Sequence, residues 1–104
     1  MPTTTVGGRT VAINDEGFMT DPSQWDETLG AELARLINVE MTERHWQAIR
    51  FLRGDHAARG ETPTLRRVAT ESGIPTKELF ELFPGKPAKK MAYVAGLPKP
   101  KGCV

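Results

Sequence analysis

The chain has 104 residues, which suffice for one domain with a modest hydrophobic core. Hydrophobic residues make up 38% of the sequence, and no apolar run approaches the ~20 residues that cross a membrane, so we expect no membrane association. The single cysteine excludes an internal disulfide, and the N-terminus lacks a signal-peptide pattern, so we expect a cytoplasmic protein.

The net charge of +1 is unevenly distributed along the chain. Residues 1–84 contain nine Lys or Arg and thirteen Asp or Glu, whereas residues 85–104 contain five lysines and no acidic side chain. A basic segment on an acidic body indicates an anionic or nucleic-acid partner, or a tail that rests on its own domain. A solubilising terminus is the alternative.

The N-terminal third predicts a hairpin followed by a helix. β-branched segments flank Gly7-Gly8, which predicts a β-hairpin over about residues 3–13. Asp21-Pro22 or Asp26 supplies a capping carboxylate for the first helix. The spacing of the following leucines carries this helix to about Asn38.

Caps and stop signals predict four further helices in the rest of the chain. Short links join them, so the sequence predicts a mostly α (α+β) domain over residues 1–97, with helices between about 26 and 95. The predicted helices run from Glu43 to about Arg59, from Leu65 to Glu71, from Thr76 to a stop at Pro84, and from Ala88 to Ala95.

A helix–turn–helix is the alternative functional element in this domain. Ala69, Gly73 and Leu79 have the spacing that lets two helices cross closely around a turn. The second helix, however, offers both Glu78 and Glu81 where a DNA reader needs positive charge. A DNA-binding regulator therefore stays open as an alternative, with the charge against it.

The last residues predict an arm that carries a reactive thiol. Pro98 and Pro100 exclude helix and favour extended backbone, so residues 98–104 are expected to form a flexible, mobile C-terminal arm. Cys103 stands one residue from the end, where a thiol can be delivered into the pocket of another protein. The alternatives are an inert buried cysteine or a disordered terminus.

Few other side chains suggest a site. His45 and His56 lie on one predicted helix without a second cysteine, so we expect partly exposed residues and no metal. No pattern predicts a cofactor. Lys99 and Lys101 are candidate docking residues for a partner of the arm. The basic run Lys86, Lys89 and Lys90 forms either a solvated helix face or a guide for that partner, with Lys89 and Lys90 as further candidate docking residues.

Several motifs spread along the chain occur together: the ending Ala95–Val104, residues 82–89, and the pairs His45-Trp46, Arg50-Phe51, Gln24-Trp25 and Gly17-Phe18. In this combination they resemble the DsrC/TusE family. The resemblance implies a small β-hairpin on an orthogonal helical bundle with a helix–turn–helix and a mobile arm. It implies that Cys103 accepts sulfur as a persulfide, in a carrier and not an independent turnover enzyme.

The resemblance also limits the chemistry that we expect. Family members that partner sulfite reductase have a second cysteine where this chain has Tyr93, so it is similar to the single-cysteine, TusE-like branch. That branch implies a sulfurtransferase-type carrier. We expect a monomer without a cofactor. The implied donor is a TusBCD- or DsrEFH-type complex, and the implied acceptor is a tRNA thiouridylase or a sulfite reductase. We expect tRNA 2-thiouridine synthesis as destination, with sulfur oxidation or sulfite metabolism as alternatives.

Overall fold

The computed structural model describes residues 2–100, and the chain begins there with the predicted hairpin. Strands β1 (Thr3–Val6) and β2 (Arg9–Ala12) pair antiparallel, with Val6 opposite Arg9. The two turn glycines have φ of +56° and +81°, the left-handed backbone that a tight hairpin turn requires at both positions. The predicted hairpin is confirmed.

Both predicted N-caps of the first helical region are used. Asp21 caps a short 3₁₀ turn, Pro22–Gln24, and Asp26 caps helix α1 (Glu27–Leu36) by accepting from the Leu29 amide at 2.9 Å. The helix ends before our predicted boundary because Asn38 takes a left-handed conformation with φ of 59°.

Helix α2 (Glu43–Arg59) begins at the predicted residue. The expectation for His45, which lies in its first turn, was wrong. His45 is buried and is not a partly exposed helix residue. Its Nδ1 accepts from the Thr42 amide at 3.1 Å, so Nε2 carries the proton and donates to the Leu82 carbonyl at 2.8 Å. The imidazole therefore ties the start of α2 to the end of a later helix.

Three short helices complete the domain: α3 (Leu65–Ser72), α4 (Thr76–Leu82) and α5 (Pro87–Val94). Gly73 joins α3 to α4 with φ of +81°, which is the turn of the predicted helix–turn–helix. Residues 2–100 thus form a mostly helical bundle of five helices with one small hairpin, as we predicted. No helix in this range is long and apolar enough to cross a membrane.

Two groups of buried side chains hold the elements together. One lies between the hairpin and α1 and includes Val11, Met19 and Leu29. The larger group joins the five helices and extends past the end of α5 to Leu97, which is only 1% exposed. Burial at this position fixes where the C-terminal segment leaves the helical body, because a fully buried Leu contributes about 1.5–3 kcal/mol.

Candidate functional site

The C-terminal segment begins at a well-defined helix end. Gly96 has φ of +69°, and its amide donates to the Tyr93 carbonyl at 3.2 Å. The Leu97 amide donates to the Ala92 carbonyl at 3.0 Å. These two bonds, with the buried Leu97 side chain, are the Schellman pattern, in which a left-handed glycine terminates a helix. The stop that we predicted at Gly96 is confirmed.

Trp25 packs against this helix end and fits only because two neighbours are glycines. A Cβ on Gly30 would lie 2.7 Å from Trp25 Cζ2, and one on Gly96 would lie 2.8 Å from Trp25 Cγ. The indole Nε1 donates to the Val94 carbonyl at 2.8 Å. Trp25 therefore satisfies one of the terminal carbonyls of α5, which have no partner within the helix.

Arg53 of α2 also contacts the indole ring of Trp25. Its guanidinium carbon lies 4.3 Å from the centre of the Trp25 ring, within cation–π range. It donates to the Ala95 carbonyl and to the Pro22 carbonyl, both at 3.0 Å. Burial lowers the pKa of Arg53 from its usual value. Arg53 and Trp25 thus anchor the point at which the C-terminal segment starts.

The first three residues of the predicted arm lie on the body of the domain. The Thr62 hydroxyl donates to the Pro98 carbonyl at 2.8 Å. Lys99 Nζ lies 3.3 Å from a carboxylate oxygen of Glu16, and the Pro100 ring is buried. A hydrogen bond, an ion pair and apolar burial together hold residues 98–100 against the surface, as in the alternative of a tail that rests on its own domain. The mobile arm over residues 98–104 stays a prediction.

The two most important predicted residues, Cys103 and Lys101, lie outside the described residues. The assignment of Cys103 as persulfide acceptor therefore stays a prediction. Cys103 is three residues beyond Pro100, a distance of at most about 10 Å along an extended chain. A thiol at this position can react only with a group within that distance of Pro100, unless residues 98–100 first detach from the body.

Lys89 and Lys90, the other predicted docking residues, border a cavity of about 430 Å³. Phe18 and Tyr93 form part of its lining and meet edge to face, with ring centres 6.1 Å apart. Burial raises the pKa of Tyr93 above its usual value, so its hydroxyl stays protonated and can donate. Tyr93, the position at which the family resemblance implies a second cysteine in other members, therefore lines a cavity in this chain.

The helix–turn–helix face offers little to a nucleic acid backbone. Arg67 of α3 is engaged with the buried Asp55, its Nη2 lying 2.7 Å from Oδ1. On α4, Glu81 and Phe80 are exposed, and Glu78 makes two hydrogen bonds with Arg44. Phosphate contacts supply most of the affinity in DNA binding, and this face has few free cations for them. We therefore do not propose DNA binding.

Spacing in the sequence gave no sign of the residues that hold the C-terminal segment. Trp25 and Val94 are 69 positions apart, and Thr62 and Pro98 are 36 apart, so no periodic pattern links them. No local pattern in the sequence gives Trp25, Arg53 or Thr62 a role at the end of α5. Within residues 2–100, no group of three or more potential metal ligands comes together.

The chain matches one protein family along nearly its whole length, as its residues suggested. A model of the family described as DsrC like protein matches residues 5–104. The sulfurtransferase TusE of Pectobacterium atrosepticum is 34% identical over 93% of this chain and 95% of that protein. The solution structure of Allochromatium vinosum DsrC matches with a TM-score of 0.83 and 34% identity, over 98% of this chain and 97% of that one.

A second solved structure gives the same result. The oxidized gamma-subunit of the dissimilatory sulfite reductase (DsrC) from Archaeoglobus fulgidus matches with a TM-score of 0.79 and 33% identity. The match covers 99% of this chain and 100% of that one. Sequence and fold agree over the helical bundle and the hairpin alike. The chain therefore belongs to the DsrC-like protein family.

Proposed function

We propose that this chain is a sulfur carrier, which accepts sulfane sulfur as a persulfide on Cys103 and passes it to an acceptor enzyme. The observation that carries the proposal is the anchored exit of the C-terminal segment. The body holds this segment up to Pro100, three residues before the single thiol of the chain. The relatives named sulfurtransferase TusE support the same reading.

The transfer is an exchange at sulfur that needs no added oxidant or reductant. The Cys103 thiolate attacks the terminal sulfur of a donor persulfide, R–S–SH, and forms a new S–S bond. The S–S bond of the donor breaks, and its electron pair leaves with the donor thiolate, R–S⁻. The transferred sulfur keeps its proton, so Cys103 becomes Cys–S–SH. The same exchange in the next step regenerates the Cys103 thiolate.

We propose tRNA 2-thiouridine synthesis as the destination of the sulfur, with a TusBCD-type complex as donor and a tRNA thiouridylase as acceptor. The TusE relatives support this choice, and so does Tyr93, because a phenol cannot form a disulfide with Cys103. The second candidate is a role beside a sulfite reductase. It is favoured by the likeness to the gamma-subunit of the Archaeoglobus fulgidus enzyme.

Mass spectrometry after incubation with a persulfide donor tests the carrier chemistry. We expect a gain of about 32 Da, one sulfur atom, on the peptide that contains Cys103, because the thiolate is the acceptor. Cys103→Ser is the matched control, since it removes the thiol and retains the size and polarity of the side chain. An unchanged mass in the parent chain, or an equal gain in Cys103→Ser, would contradict the proposal.

A further inference from the structure

We propose that the cavity beside the start of α5 is the docking site of the protein that donates sulfur, and that it takes an apolar side chain flanked by carboxylates. This inference rests on the proposed function and adds the place and chemistry of recognition. The cavity measures about 430 Å³, within the ~300–1,000 Å³ of typical binding pockets. Its lining residues are Phe18, Ile37, Gly85, Lys86, Lys89, Lys90 and Tyr93.

The floor of the cavity is apolar and carries one free hydrogen-bonding group. Phe18, Ile37 and Tyr93 supply two aromatic rings and an aliphatic side chain. The Tyr93 hydroxyl makes no hydrogen bond with any residue in the range 2–100, so it is available to a ligand. An apolar floor selects an apolar side chain, and a free hydroxyl at its wall can donate to an acceptor beside that side chain.

The lysines at the edge are not explained by the stability of α5. Lys86 is the residue before the helix, and Lys89 lies in its first turn, where no acidic residue is present. Cations at a helix N-terminus oppose the helix dipole. Lys90 donates to the Pro84 carbonyl, but Lys86 and Lys89 have no hydrogen bond or ion pair with the described part of the chain. They are therefore free to pair with carboxylates of a partner.

The cavity lies next to the loop that binds Lys99, four residues before Cys103 in the sequence. Lys99 pairs with Glu16, and Phe18, two residues after Glu16, lines the cavity. Cys103 follows Lys99 by four residues, which span at most about 14 Å. A protein seated in the cavity is consequently within reach of the thiol, which singles out a partner in sulfur transfer.

Charge and shape together favour an acidic protein over a nucleic acid. Complementary charge steers association and suppresses wrong partners, so two free lysines select a carboxylate-bearing surface. A phosphate backbone would use the lysines but would leave the apolar floor of Phe18, Ile37 and Tyr93 uncovered. A protein side chain uses both parts of the surface.

Charge reversal with a matched control tests the proposal. The test variant is Lys86→Glu/Lys89→Glu, and the control is Arg66→Glu/Lys77→Glu, which changes the net charge equally at exposed sites outside the cavity. Each chain receives radioactive sulfur either from a persulfide-loaded TusBCD-type complex or from glutathione persulfide. The small donor needs no docking, so it reports the chemistry at Cys103 alone.

We expect the cavity variant to accept sulfur from the protein donor about tenfold more slowly at low ionic strength, with a smaller loss at high salt. The control should stay within about twofold of the parent chain, and all three chains should react equally with glutathione persulfide. Equal transfer from the protein donor to both double variants overturns the proposal. If no chain reacts with either donor, the carrier function fails instead.

Binding without transfer separates the two proposals further. When the Cys103→Ser chain is titrated with unloaded donor complex, the NMR signals of Phe18, Ile37 and Lys89 should shift. Adding Tyr93→Phe to that chain should weaken donor binding about tenfold, because the hydrogen bond from the hydroxyl to a charged group is lost. Shift changes confined to other surfaces overturn the docking site. Two further outcomes overturn it as well. In the first, Lys86→Glu/Lys89→Glu loses binding to bulk tRNA but still binds the donor complex. In the second, the NMR signals of the cavity residues change only when residues 101–104 are removed, and not when the donor is added.

Discussion

The indole of Trp25 lies so close to Gly96 that a Cβ at position 96 would come within 2.8 Å of Trp25 Cγ. The same indole donates to the carbonyl of Val94, two residues earlier in the chain, and the guanidinium of Arg53 lies over its ring. The C-terminal segment therefore starts from a packed contact among α2, the end of α5 and Trp25, which lies between the 3₁₀ turn and the cap of α1. The segment that leads to the Cys103 thiol is therefore attached to the body at a fixed point, the end of α5.

Gly96→Ala should destabilise the domain more than Gly73→Ala. Both glycines have positive φ, +69° and +81°, so each alanine bears a backbone strain of about 1–2 kcal/mol. At Gly73 a Cβ meets nothing within 4 Å, whereas at Gly96 it meets Trp25, which adds about 1–3 kcal/mol of overpacking. Urea unfolding followed by circular dichroism measures both free energies. Equal losses would mean that Trp25 moves aside without cost.

The local elements were predictable because their signals lie within a few residues. Gly7-Gly8 demands a tight turn, Asp26 and Thr42 cap helices, and Gly96 stops one, each through bonds to near neighbours. The burial of His45 was missed because its second partner, the Leu82 carbonyl, is 37 residues away. The contacts of the C-terminal segment were missed for the same reason, since tertiary hydrogen bonds leave no period in the sequence.

The cavity shows the same division. Lys89 and Lys90 stood out in the sequence as a basic run near the C-terminus, and that observation needed no structure. The apolar floor joins Phe18, Ile37 and Tyr93, which come from three separate parts of the chain. Only the folded arrangement places them beside the lysines. The basic charge beside the cavity could therefore be predicted from the sequence. The apolar cavity that makes the site specific could not.

Trp25→Phe should cost more stability than Trp46→Phe. Both replace an indole by a benzene ring at a half-buried position, but only Trp25 Nε1 has a hydrogen bond within the described chain, to the Val94 carbonyl. Leaving a buried carbonyl without a partner costs about 1–3 kcal/mol. Thermal or urea unfolding gives the difference between the two variants. A larger loss for Trp46→Phe would show that packing, and not the hydrogen bond, dominates at Trp25.

Lys99→Glu should loosen the segment 98–100, and adding Glu16→Lys should restore it. The ion pair is exposed, so its contribution to stability is only about 0–1 kcal/mol and local mobility is the better measure. Position 99 has the only backbone N–H among residues 98–100, because both neighbours are prolines. Its heteronuclear ¹⁵N NOE should fall in the single variant and recover in the swap. A fall that persists in the swap would exclude the ion pair as the cause.

Asp55→Asn should destabilise the domain near neutral pH, and the loss should disappear in acid. The guanidinium of Arg67, opposed by burial and assisted by Arg59, holds the pKa of Asp55 below its usual value of 3.8. A group whose pKa is lowered by folding stabilises the folded state above its unfolded pKa, and this contribution is lost as the pH falls through the folded value. Hydrogen bonds to a charged group contribute about 2 kcal/mol, which sets the expected loss at pH 7.

Unfolding of both chains between pH 7 and pH 2 measures this dependence. The stability gap between the parent chain and Asp55→Asn should narrow as the pH drops below the usual pKa of 3.8, because protonation removes the charge that the variant lacks. Asp15→Asn is the control: Asp15 is exposed and has no ion pair within residues 2–100, so the exchange should leave stability unchanged at pH 7. A gap that stays constant or widens in acid would contradict a pKa of Asp55 that the pair with Arg67 lowers.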